Sequence, residues 1–132
     1  MVELHAIKTK RLIPPQDSLM DALSAADFKP QNGDVLVLSS KVVAIDEGRC
    51  VKKEGTEKGD LVHAEADVYI PSSYNSYGFE LAIVHHALIG SAGVDASNSG
   101  DYFTLLPKDP FASACKWHTV LSKKHGLSEF GV

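Results

Sequence analysis

The sequence predicts an α+β fold in which a mixed or antiparallel sheet is accompanied by a few helices. Two observations carry this. Short apolar runs of strand type follow one another across tight turns, without the helix-length crossovers that a parallel sheet needs. A single long segment near the C-terminus carries both helix start and helix stop signals. The chain has 132 residues, 44% hydrophobic and 23% charged, which suits one folded domain with a buried core. It contains no internal repeat and no low-complexity tract.

VELHAIK (2–8) alternates with Val2, Leu4 and Ala6 on one face and is expected to be a strand. RLIPPQ is a loop, because Pro14 and Pro15 each fix φ and remove a donor. Asp17 or Ser18 caps a short helix through about Ala26, with Leu19, Leu23 and Ala26 as its stripe. KPQNGD is a turn into DVLVLSSKVVAI, two apolar strand runs interrupted by Ser39, Ser40 and Lys41. Asp46, Glu47 and Gly48 turn the chain into a short strand, GRCVK. The polar stretch 52–60 suits a mobile loop, and 56–67 turns helical in its second half. FELAIVHHALI (79–89) is a bent strand or a hairpin, and TLL (104–106) a further short strand. In KDPFASACKWHTVLSKKHG, Asp109 is an N-cap, Pro110 the first helical residue and Gly126 the stop. Phe111, Ala114, Trp117 or His118, and Leu121 form its apolar face, with Lys123 and Lys124 at the negative end of the dipole. LSEFGV then turns apolar again, as a following strand would.

With 13 basic and 17 acidic residues the net charge is -4, which offers no basic footprint for nucleic acid. No run approaches the ~20 apolar residues of a membrane helix, and no signal-peptide pattern opens the chain. Cys50 and Cys115 show no CxxC spacing, so a reduced cytoplasmic protein with no membrane partner is expected.

No phosphate loop, dinucleotide fingerprint, zinc-protease helix or nucleophile elbow is present. His85 and His86 are adjacent, so on a regular strand they face opposite ways and do not grip one ion. One surface and one partly buried histidine is the expectation. His118 and Cys115 are expected to pack in the core. Tyr74, Tyr77 and Phe79 either offer a stacking surface or pin their own loop.

Three segments stand out. In LSSKVV a lysine interrupts apolar residues, which costs packing unless its ammonium reaches water or an anion such as phosphate. DEGR (46–49) is a plain hairpin turn, or a turn presenting an acid and an arginine. GVDASNSG is an Asx-turn made by Asp95 and Asn98, or a place where Asp95 meets a hard cation and Asn98 a polar ligand.

Taken together, VLSSKVVAIDEGR, AGVDASN and LLPKDPFASA in this order resemble the coenzyme F-420 gamma-glutamyl ligase family. VELHAIKTKRLIPPQDSL is similar to the family's opening strand and loop, so the resemblance runs through residues 2–132, with a more private stretch at 52–80. It implies an α+β homodimer that joins L-glutamate to the lactyl-phosphate tail of a deazaflavin coenzyme, using GTP and Mg²⁺ or Mn²⁺. Such acid–amine ligation needs cations, a metal-holding carboxylate and positioning, and no protein nucleophile. By resemblance Asp95 is the metal ligand. The nucleotide contacts fall on Lys10, Arg11, Leu12, Ile13, Ser40, Lys41 and Asn98, and Arg49 is a further cation in the set.

Two departures accompany the match. Many members carry a second lysine shortly before EGR, where this chain has Ile45. Family chains also continue into a strand with an Asp-Thr or Asp-Ser pair that completes the metal site. The 132 residues are thus expected to be a single domain or the N-terminal part of such a protein, with a separate C-terminal half as one partner. Three functions are open: the glutamate ligase, a nucleotide- or cofactor-binding module of the same fold without catalysis, and a ligase for another phosphorylated acid.

Overall fold

The computed structural model describes residues 1–132. Its elements are α1 (Leu19–Ala25), α2 (Ser40–Asp46), β1 (Cys50–Lys52), α3 (Lys58–Glu65), β2 (Val68–Ile70), β3 (Leu81–Val84), β4 (Ala87–Gly90), β5 (Tyr102–Thr104) and α4 (Pro110–His125). Both sheets are antiparallel. One pairs β1 with β5 and the other runs β2-β3-β4. The class is α+β, as the interleaving of short strands and helices predicts.

Local chemistry explains the elements that matched. The Ser18 hydroxyl accepts from the Asp21 N–H and caps α1. Asp109 does the same for the Ala112 N–H of α4, Pro110 follows it, and Gly126 closes the helix at φ 67. The 79–89 segment is a hairpin whose two-residue turn is His85-His86, at φ 51 and 64. His85 is half-buried and its Nε2–H donates to the Pro107 carbonyl at 3.2 Å, while His86 is exposed.

Packing forms two cores. Leu19, Leu23, Val43, Ile45, Trp117 and Leu121 join α1, α2 and α4. Val62, Ala82, Val84, Val94 and Phe103 fill the space beneath the three-stranded sheet. Burying each of the larger of these side chains contributes roughly 1.5–3 kcal/mol.

Several expectations are corrected. Residues 2–8 form no strand: Val2 and Leu4 remain 89% and 92% exposed, and no segment of the chain pairs with them. Alternation alone does not stabilise a strand without a ladder partner. The LSSKVVAI run is helical from Ser40, because Val43, Ala44 and Ile45 find a core on one side of a helix. A short apolar run fits either period until its partner is known. The strand near TLL lies two residues earlier, at Tyr102–Thr104. In α4 the buried stripe is Ser113, Trp117 and Leu121, so Phe111 is exposed, as are Cys115 and His118. His118 stacks on Phe130 instead of entering the core. The polar stretch after β1 is a short turn, and α3 begins within it at Lys58. LSEFGV does start to pair, through a parallel bridge between Gly131 and Val35.

Candidate functional site

The loop after Asp95 is closed at its base. Asp95 and Thr104 exchange backbone hydrogen bonds of 2.9 Å in each direction, tying the loop to β5. Inside it the buried Ser99 hydroxyl pairs with that of Thr104 at 2.7 Å. The small residues leading in have a packing cause. A Cβ on Gly93 would fall 2.5 Å from the Leu106 side chain, and Gly93 itself is at φ 73. Ala92 and Val94 are buried.

Asp95 makes an Asx-turn, accepting from both the Ser97 N–H and the Ser97 hydroxyl at 2.7 Å. Its other carboxylate oxygen is bonded to the Lys41 ammonium, which also donates to the Ser97 carbonyl at 3.0 Å. The turn and the charged cluster are therefore one object. Asn98 sits at φ 60, a conformation that asparagine tolerates, and its carboxamide makes no hydrogen bond within the chain.

Basic side chains from three separate segments converge on the carbonyls of this loop. Arg11 donates to Asn98 O at 2.9 Å, Lys41 to Ser97 O, and Lys53 to Ala96 O at 3.0 Å and Gly100 O at 2.6 Å. Lys41 is the second residue of α2 and Lys53 follows β1 directly. Beside the loop, Arg11, Ile13, Pro14, Asp101 and Tyr102 line an open hollow of about 290 Å³.

The fold thus brings together Arg11, Ile13, Lys41, Asp95 and Asn98 of the residues singled out by sequence. Ser40 is exposed next to Lys41. Lys10 is turned away to Asp17 at 2.9 Å, and the Leu12 side chain belongs to the core. The sequence missed Lys53 and Ser97. Arg49 is not part of the cluster. It is half-buried, ion-paired with Glu65, and donates to Leu106 O at 3.1 Å. Its neighbour Glu47 accepts from the Lys108 N–H and the Ser113 hydroxyl. The EGR turn is a clamp on the start of α4.

Burial raises the pKa of Asp95, but Lys41 and the two Ser97 donors outweigh it and hold the carboxyl at about 2, against an ordinary 3.8. A lowered folded-state pKa means that the unfolded chain binds the extra proton between these values. The contribution is complete above about pH 5 and is lost as pH falls through the ordinary carboxylate range to about 2. Discounted for its partial exposure, it amounts to about 1 kcal/mol. Urea midpoints between pH 2 and 6 should therefore rise less steeply in Asp95→Asn than in the parent chain. Parallel curves would show that the ion pair adds nothing to stability.

No group of three or more His, Cys, Asp or Glu side chains is assembled anywhere in the chain. Asp95 and the Ser97 hydroxyl offer hard oxygen donors, but one carboxylate does not hold Mg²⁺ or Mn²⁺ against water. The set fits such a cation only when phosphate oxygens complete its coordination. No helix is long and apolar enough to cross a membrane. A family model described as F420-0:Gamma-glutamyl ligase matches residues 7–129.

Proposed function

The chain belongs to the F420-0:gamma-glutamyl ligase family, and from that premise we propose that its basic loop cluster binds the phosphates of GTP. The family indicates a ligase-type function in coenzyme F-420 biosynthesis. In this proposal the substrates are GTP with a divalent cation, L-glutamate and a deazaflavin acceptor. The observation that carries it is the convergence of Arg11 and Lys41 on the Asp95–Asn98 loop, with one carboxylate beside them. Phosphate is the anion that such a cluster suits, since lysine meets it as a point charge and arginine bidentately.

In this reading a substrate carboxylate attacks the γ-phosphorus of GTP, and GDP leaves. The amine of L-glutamate then attacks the acyl carbon, loses a proton and expels inorganic phosphate, leaving an amide. Lys41 and Arg11 gather the phosphates, and Asn98 supplies a directional hydrogen bond. Asp95, paired with Lys41 in the free chain, would hold a divalent cation once phosphate engages Lys41, and that cation would supply positive charge beside the transferring phosphoryl group. No group of three or more carboxylate, histidine or cysteine side chains assembles with Asp95 to fix such a cation for turnover. Binding without glutamate transfer is therefore the expected behaviour of the chain by itself. Calorimetric titration with GTP and Mn²⁺ tests this. A saturable isotherm supports the reading, and its absence with both ligands present overturns it.

A homodimer also belongs to this reading. Val68, Ile70, Ile83 and Leu88 are exposed on one face of the three-stranded sheet, and Phe79 packs over Gly90 on that face. No charged residue interrupts them. The exposed apolar area is on the order of several hundred Å², the scale of one partner's share of a standard interface (~800 Å²). A second copy offering the same uncharged face is the matching occupant. Light scattering should give twice the chain mass, reduced to one by Leu88→Glu. A monomeric parent chain at tens of micromolar contradicts this.

A further inference from the structure

Lys53 lies in a polar stretch and has the look of a solvated residue, yet it is half-buried and both of its side-chain hydrogen bonds go to the Asp95–Thr104 loop. Its acceptors, Ala96 O and Gly100 O, flank the carbonyls taken by Lys41 and Arg11. Lys41 shares its charge with Asp95, whereas Lys53 has no carboxylate partner. Two carbonyls occupy two of its three protons, and the ammonium otherwise lies only against the Phe103 ring, 5.8 Å from its centroid, a weak contact that an anion can replace. An unneutralised ammonium held at the edge of a basic cluster, on a strand end whose partner is β5, is preorganised for an anion. Position 45, on the neighbouring helix, cannot add a cation, because Ile45 is only 4% exposed and packs in the core.

We propose that Lys53 is a phosphate-binding residue, the third cation of the site with Lys41 and Arg11. This rests on the phosphate reading above. The competing role is a clasp that only holds the loop shut. GTP·Mn²⁺ affinity is measured by calorimetry at two salt concentrations for the parent chain, Lys53→Met, Lys53→Arg and the neighbouring Lys52→Met. Lys53→Met should weaken binding about 10-fold and flatten its salt dependence, because one screened charge pair is lost. Lys53→Arg should keep most of the affinity, and Lys52→Met all of it. A lower melting temperature with unchanged affinity in Lys53→Met means a clasp and overturns the proposal alone. No binding by the parent chain overturns the phosphate reading together with it.

Amine acetylation of the parent chain followed by mass spectrometry gives a test independent of how the variants fold. GTP·Mn²⁺ should protect Lys53 several-fold and leave Lys52 unchanged. Equal labelling of Lys53 with and without nucleotide overturns the proposal.

Discussion

Lys41→Met should weaken GTP binding by about 10- to 100-fold, the loss expected for one charge-assisted hydrogen bond to phosphate at 1.5–3 kcal/mol. Methionine keeps most of the apolar stem, so α2 and its core contacts through Val43 and Ile45 stay in place. Asp95 loses its cation but remains partly solvated and bonded to Ser97, so the melting temperature should move by no more than about 5 °C. The affinity loss is thus separable from the stability change. A loss smaller than about threefold would assign Lys41 to tethering the loop and nothing more.

Arg49→Met should show the opposite pattern. The guanidinium joins Glu65 of α3 to the Leu106 carbonyl, so its removal leaves a half-buried carboxylate and a carbonyl without their donor. Breaking a fully buried pair costs about 3–5 kcal/mol, and partial exposure reduces this to about 2–3 kcal/mol. For a chain of this size the melting temperature should fall by about 6–15 °C. GTP affinity, measured well below the new midpoint, should stay within about twofold. An affinity loss at unchanged melting temperature would return Arg49 to the phosphate site.

The parts of the fold legible in the sequence are those fixed by local chemistry. The α4 helix is bounded by Asp109, Pro110 and Gly126, each acting through its own backbone or side chain. The hairpin around His85-His86 is similarly local. What was illegible depends on distant partners. LSSKVVAI is an apolar run that suits a strand until α1 and α4 supply a core for one helical face. VELHAIK has the alternation of a strand and finds no ladder in this chain.

The site divides in the same way. Lys41 and Asp95 were legible because a charge among apolar or very small residues demands a partner, and here each is the other's. The small residues before Asp95 had a further cause, the approach of Gly93 to Leu106, that only the folded chain reveals. Lys53 was hidden by its charged neighbours Lys52 and Glu54, which give it the pattern of a solvated turn. Arg49 stood out for a sound reason, and the fold gives it partners inside the chain. A guanidinium beside buried residues needs an acceptor, and Glu65 and Leu106 provide it without any ligand.

The central claim is that Asp95 passes from Lys41 to a divalent cation when phosphate arrives. The most direct measurement is GTP affinity with and without Mn²⁺ in the parent chain and in Asp95→Asn, alongside the melting temperature of each. The parent chain should bind GTP at least about 10-fold more tightly with Mn²⁺ and take up little Mn²⁺ alone, because one carboxylate cannot hold it against water. Asp95→Asn should lose most of that metal enhancement while its stability falls by only about 1 kcal/mol, since an amide oxygen can still accept from Ser97. An Mn²⁺ enhancement that survives in Asp95→Asn would contradict the claim and leave the loop as an Asx-turn held by an ion pair.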